Sequence, residues 1–127
     1  MAKSNQLVVQ MREILDDYTK EVVRATNNAQ DVVAKEAASK LRNTSPVRTG
    51  KYAKSWKVKR ERGPVRGINK VTVYNKDHYQ LTHLLENGHV IRNAKGEYGR
   101  TSPKKHIEPV YDWTSEALLN EIERALR

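Results

Sequence analysis

Between Asn5 and Leu41 the chain contains neither proline nor glycine, and its apolar residues recur at helical spacing. Val8, Leu15, Val22 and Ala29 repeat every seven residues, and so do Met11, Tyr18, Ala25 and Val32. Together they form an apolar seam of the a/d kind, with Arg12, Glu13, Asp16, Asp17, Lys20 and Glu21 around it. The pattern predicts a long amino-terminal helix over residues 1–42. Thr26, Asn27 and Asn28 are weak helix formers, so a bend is expected there if anywhere. Unbroken, the helix would run roughly 55 Å at 1.5 Å per residue. A compact chain of this size has a radius of gyration of only about 14 Å. The helix must bend, or else project and pack on a neighbour. Its second half, where Ala25 and Ala29 permit close approach, suits a helix laid over a sheet. Its first half offers Val8, Met11, Leu15 and Tyr18 as a candidate subunit interface.

Asn43-Thr44-Ser45-Pro46 ends the helical pattern, because the residue before a proline disfavours the α region. After Thr49-Gly50, the stretch Trp56 to Arg60 alternates as a half-buried strand with Trp56 and Val58 inward and Lys57 and Lys59 outward. Gly63-Pro64 and Gly67 interrupt the chain, and Lys70 to Tyr74 alternates again. The two runs predict an antiparallel hairpin with a long basic tip, within residues 43–75. A short helix is expected from His78 to Asn87, with Leu81, Leu84 and Leu85 on one face. Gly88 is placed to end it in a left-handed backbone conformation. A second hairpin follows Val90-Ile91, completing a unit over residues 76–108. A final helix over residues 109–127 has Pro109 in its first turn and a face of Tyr111, Leu118, Leu119, Ile122, Ala125 and Leu126. The order α–ββ–α–ββ–α predicts one α+β domain, a small antiparallel sheet of two hairpins with helices packed on it.

Composition sharpens this picture. The chain has 127 residues, of which 37% are hydrophobic, its mean hydropathy is -0.84, and it has no Phe. Its core must be thin, and a thin core suits a small domain that gains stability by packing against copies of itself or a partner. With no Cys, disulfides, thiolate metal sites and a Cys nucleophile are excluded. No basic segment followed by an apolar run opens the chain, so neither a secretion signal nor a membrane span is expected. Synthesis and first use in a cytoplasm are expected.

The charge is concentrated. Between Arg42 and Lys70 ten basic residues face a single acid, Glu61, which makes +9; the remaining 14 basic and 14 acidic residues cancel. Such a patch implies a polyanionic or acidic partner. Arg48, Lys51, Lys54, Lys57, Lys59, Arg60, Arg62 and Arg66 are the candidate contacts. The plainer reading, solvated charges guarding a hairpin edge, needs far fewer of them. Tyr52 and Trp56 are interleaved with the charges, but no helix-turn-helix, zinc finger or RNA-recognition signature is present. Contact with a phosphate backbone without sequence readout, or with acidic protein, fits best.

Catalysis finds little footing. His83-x-x-Glu86-x-x-His89 could place two metal ligands on one helix face, but Gly88 throws His89 elsewhere and leaves no third ligand. Ser55 or Ser102 with His78 or His106 lacks a nucleophile elbow, and the scattered glycines make no phosphate loop. Paired carboxylates for magnesium are missing from the basic segment. No cofactor is expected.

Three blocks carry a resemblance. Pro46-Val47-Arg48-Thr49-Gly50-x-Tyr52-x-x-Ser55-Trp56, His83-Leu84-Leu85-Glu86-x-Gly88-His89 and His106-Ile107-x-Pro109 together resemble the small tail-component family of long-tailed phages, variously called tail-completion, neck or head–tail joining proteins. Asn87 and Lys105 depart from the pattern, standing where an aromatic residue and a proline are common. The resemblance implies a virion protein without enzymatic activity. It further implies a homo-oligomeric ring, expected to be sixfold, that meets other neck and tail proteins where the DNA-filled head joins the tail tube. Thr49, Gly50, Trp56, Leu84, Leu85, Glu86, Gly88, Ile107 and Pro109 would then be scaffolding, not chemistry. A small basic DNA-binding protein is the reading from another class.

Overall fold

The computed structural model describes residues 2–47, 49–93 and 96–127, so Arg48 lies outside the described residues. Helix α1 (Ala2–Thr44) is one unbroken helix of 43 residues, running through Thr26, Asn27 and Asn28 without interruption. At 1.5 Å per residue it is roughly 65 Å long. A short helix α2 (Lys51–Lys54), which the sequence reading missed, leads into strands β1 (Trp56–Arg62) and β2 (Asn69–Asn75). Helix α3 (Gln80–Asn87), strands β3 (Val90–Asn93) and β4 (Gly96–Arg100) and helix α4 (Ile107–Leu126) complete the α+β domain. The two hairpins form separate two-stranded antiparallel sheets.

The core lies where the second half of α1 meets everything else. Ala25, Ala29, Val33, Ala34, Ala37, Ala38 and Leu41 are buried along it. Ala37 and Leu41 pack with Tyr52, Trp56 and Val110, and Val73, Leu85, Ile107 and Trp113 close the cluster from its rim. Most of α1's contribution is alanine, which buries little area per residue but lets α4 and β2 approach closely. The Lys40 ammonium lies 4.7 Å from the centre of the Trp113 ring, fastening α4 to α1 by a cation–π contact. The core is thin, as the composition implied.

The structure corrects several assignments of faces. Val58 is 36% exposed, because β1 dips into the core only at Trp56. On α3, Leu81 and Leu84 are exposed at 38% and 41%, while Leu85 and Glu86 turn inward. On α4, Tyr111 and Leu119 are exposed at 71% and 64%. Ala125 is exposed too, whereas Leu118, Ile122 and Leu126 are half-buried as expected; Ile107, Val110, Trp113 and Ala117 turn inward beside them because α4 packs along α1.

Gly88 ends α3 with φ 73° and ψ 168°. Its φ is positive as expected, but its ψ is extended and not that of the left-handed helix. That region is essentially closed to residues with a Cβ. A Cβ here would also run into the carbonyl oxygen of Thr101 and lie 3.3 Å from the nitrogen of Pro103. Gly88→Val is therefore expected to lower unfolding stability by at least about 2 kcal/mol, the cost of such strain. Urea denaturation checks this, and an unchanged midpoint would refute the packing described for this turn.

Candidate functional site

The three sequence blocks, separated by up to sixty residues in the chain, meet at one buried polar knot. Helix α4 begins at His106 without a side-chain cap of its own. Its first N–H groups need acceptors, since no preceding turn supplies them. Glu86 supplies them from α3. Oε1 accepts from the backbone N–H of His106 and of Ile107, and Oε2 from that of Glu108, each at 2.9 Å. The next residue, Pro109, has no N–H to satisfy. One carboxylate and one proline thus complete the helix start, and the positive end of the helix dipole favours the carboxylate.

Burial alone would push the Glu86 carboxyl up, but the three backbone N–H groups and His106 together outweigh it and hold the group below its ordinary value. His106 Nδ1 faces the Lys104 carbonyl at 2.8 Å and Glu86 Oε1 at 3.1 Å, two acceptors that mark it as a donor. Its Nε2 meets the Tyr52 hydroxyl at 2.8 Å. Burial, and then the charge of Glu86, push the Tyr52 hydroxyl up to about 12. Tyr52 and Trp56 pack edge-on to one another with ring centres 5.8 Å apart, and the Trp56 Nε1–H donates to Ser45 Oγ at 2.8 Å. Ser45 in turn donates to the Leu41 carbonyl. Asn75 donates to the Tyr52 carbonyl at 2.9 Å and accepts from the His78 N–H at 2.9 Å. Every polar group in the knot is occupied by a neighbour. It ties α2, β1, β2, α3 and α4 together. Glu86 is not available to join His83 at a metal, and His89 is turned to Thr101, 3.0 Å from its Oγ1. Gly50, at φ 84° and ψ -9°, heads α2, so Thr49-Gly50 shapes the turn into that helix and only through it into β1.

Two surfaces remain. The first is the basic hairpin, whose register runs from Trp56 opposite Asn75 to Arg62 opposite Asn69. Arg60 donates to Asp31 at 2.6 and 2.9 Å, Lys59 pairs with Glu61 at 3.2 Å, and Arg42 donates to the Trp56 carbonyl at 2.9 Å. Among the described residues Lys51, Lys54, Lys57, Arg62, Arg66 and Lys70 make no ion pair, and all are exposed. The tip is not loose. Asn27 of α1 donates to the Gly67 carbonyl at 2.8 Å and accepts from the Asn69 N–H at 2.9 Å. The residue that reads as a weak point in the helix is the clasp for the hairpin.

The second surface is the projecting part of α1. Every residue from Gln6 to Glu21 is exposed, including Leu7, Val8, Met11, Ile14, Leu15 and Tyr18 at 47–67%. No described helix is long and apolar enough to cross a membrane.

A family model described as "Bacteriophage HK97-gp10, putative tail-component" matches residues 10–88, more than half of the chain. The chain belongs to this family of phage tail components. No curated protein and no solved structure matches it. The match takes in the first sequence block, the second up to Gly88, the basic hairpin and most of α1. This tail component is therefore a structural phage protein carried in the virion, working in contact with other phage proteins.

Proposed function

We propose that this tail component is a ring-forming neck or tail-completion subunit that joins the head connector to the tail tube. The observation that carries the proposal is the bare apolar stripe on the projecting half of α1. Large apolar side chains left in water on a long, regular helix mark an assembly surface. In a ring, each subunit would cover the stripe with a neighbour, and the thin core would be stabilised by that contact. The basic hairpins would repeat around the axis and face either the DNA passage or an acidic rim of the next ring. In the virion, that places the stripe between subunits and the charge toward the joint.

Replacing both Met11 and Leu15 by Asp tests it. The two side chains are exposed at 54% and 61%, so the variant is expected to keep the wild-type thermal midpoint within a few degrees. Lysates are expected to contain filled heads and free tails that do not join. Normal joining by this variant would remove the stripe from the function.

A further inference from the structure

The bare stripe has a matching vacancy elsewhere on the same chain. Between α1, the unpaired edge of β2 and α4 runs a groove of about 440 Å³. Its floor is Val33, Ala37 and Val110, and its walls are Val71, Tyr111 and Leu118. The chain's own projecting helix cannot fill it, because α1 runs straight from that groove out into solvent. We infer that the groove receives residues 7–18 of α1 from a second copy of this chain, so that each subunit inserts its helix into the next. The inference rests on the reading of the protein as an assembling subunit and names the surfaces that mate.

Two observations favour this occupant over a simple pairing of two projecting helices. The first is the width of the stripe. Leu7 and Ile14 lie beside the Val8–Met11–Leu15–Tyr18 seam, so the apolar surface spans roughly 120° of the helix at 100° per residue. A two-stranded coiled coil uses a narrower seam, whereas a stripe this wide suits a helix bedded between several elements. The second is length. Residues 7–18 and the stretch of α4 that lines the groove, Ile107 to Leu118, each span roughly 18 Å at 1.5 Å per residue, so the helix segment fits along the groove.

A contact between two different patches of the same chain is heterologous, and it closes into a ring when the rotation per subunit permits. A helix-to-helix pairing would instead stop at a dimer.

The absence of cysteine from the chain allows a clean test by cross-linking. Full-length Leu15→Cys and Met11→Cys chains are each mixed with Tyr111→Cys and Leu118→Cys chains and oxidised, both as free protein at high concentration and in particles carrying both variants. Disulfides joining a helix cysteine to a groove cysteine are expected, with none between two copies of Leu15→Cys alone. Cross-linking of Leu15→Cys to itself would overturn the inference in favour of paired helices. So would the absence of helix-to-groove disulfides in both the free protein and the particles. The neck reading is judged separately, by whether the Met11 and Leu15 aspartate variant joins heads to tails. Joining blocked without helix-to-groove disulfides sinks only the groove; disulfides present with joining intact sink only the neck.

Discussion

Glu86→Ala is expected to destabilise the isolated domain by about 3 kcal/mol, the magnitude associated with removing one member of a buried charged cluster. Three backbone N–H groups at the start of α4 and the His106 ring would lose their shared acceptor at once. Helix α4 packs along α1 and supplies Val110 to the core, so its first turn cannot fray without opening the cluster around Trp56. Glu86→Gln keeps the shape and an acceptor oxygen but loses the charge, and a smaller loss of about 1–2 kcal/mol is expected. The two variants also differ from wild type in acid. The folded state holds the Glu86 carboxyl below its ordinary value of 4.5. A depressed carboxyl contributes stability that is fully present above the unfolded value and is lost as pH falls through the folded one. Wild type should therefore lose stability more steeply below about pH 4.5 than Glu86→Gln. Urea midpoints measured from pH 7 down to pH 3 check both parts. Parallel curves for wild type and Glu86→Gln would show that the carboxylate is not the cap described.

The long helix was legible because both periodicity and the absence of breakers act locally. The helix length, against the size of a compact chain, left two outcomes, a bend or a projecting first half, and the unbroken helix takes the second. The basic hairpin was equally local, and alternation around Trp56 placed both strands to within two residues. What could not be read from neighbours in sequence was the knot. Glu86 caps a helix that begins twenty residues later, and no periodicity links them. A usable signal did exist. His106 is a poor cap, and no Ser, Thr, Asp or Asn stands just before Ile107, so the acceptor for α4 had to come from elsewhere in the chain. Parts of the expected faces of α3 and α4 failed for the same reason. On α3 the carboxylate, drawn to α4, took the inward place that leucines were expected to fill. On α4 small and aromatic residues, Ala117 and Trp113, fit the alanine-lined surface of α1 better than Leu119 would. The Asn27 clasp reversed its meaning outright: a helix-weakening residue is retained where its amide holds the hairpin tip.

Reversing Lys57, Lys59, Arg62 and Arg66 to Glu is expected to leave the fold intact and to abolish joining of heads to tails. All four side chains are exposed, and among the described residues only Lys59 of the four is paired, with Glu61 on the same strand. An exposed pair of this kind contributes little to stability. Neither Arg60, which holds Asp31, nor Asn27, which holds the tip, is touched. The four changes lower the net charge by eight, from +9 to +1, and reverse the sign of the hairpin itself. On a ring the effect multiplies, because a positive collar becomes a negative one that repels both DNA and an acidic rim. A lone wild-type subunit brings few phosphate contacts, so its binding to duplex DNA should be weak and without sequence preference. If all four residues reach phosphates, the logarithm of its affinity should fall against the logarithm of salt concentration with a slope of about -3.6. The reversed variant should not bind DNA, and electron micrographs of its lysates should show separated heads and tails. Nanomolar, sequence-selective binding by the free wild-type protein would overturn the neck reading and favour a DNA-binding regulator. Normal infectious titres from the reversed variant would reduce the patch to a solvated face. The charge-reversed chain and the Met11 and Leu15 aspartate variant should also fail differently when each is expressed with wild type. A subunit with a ruined collar can still enter a ring and spoil it, whereas one with a ruined stripe is left out and does no harm.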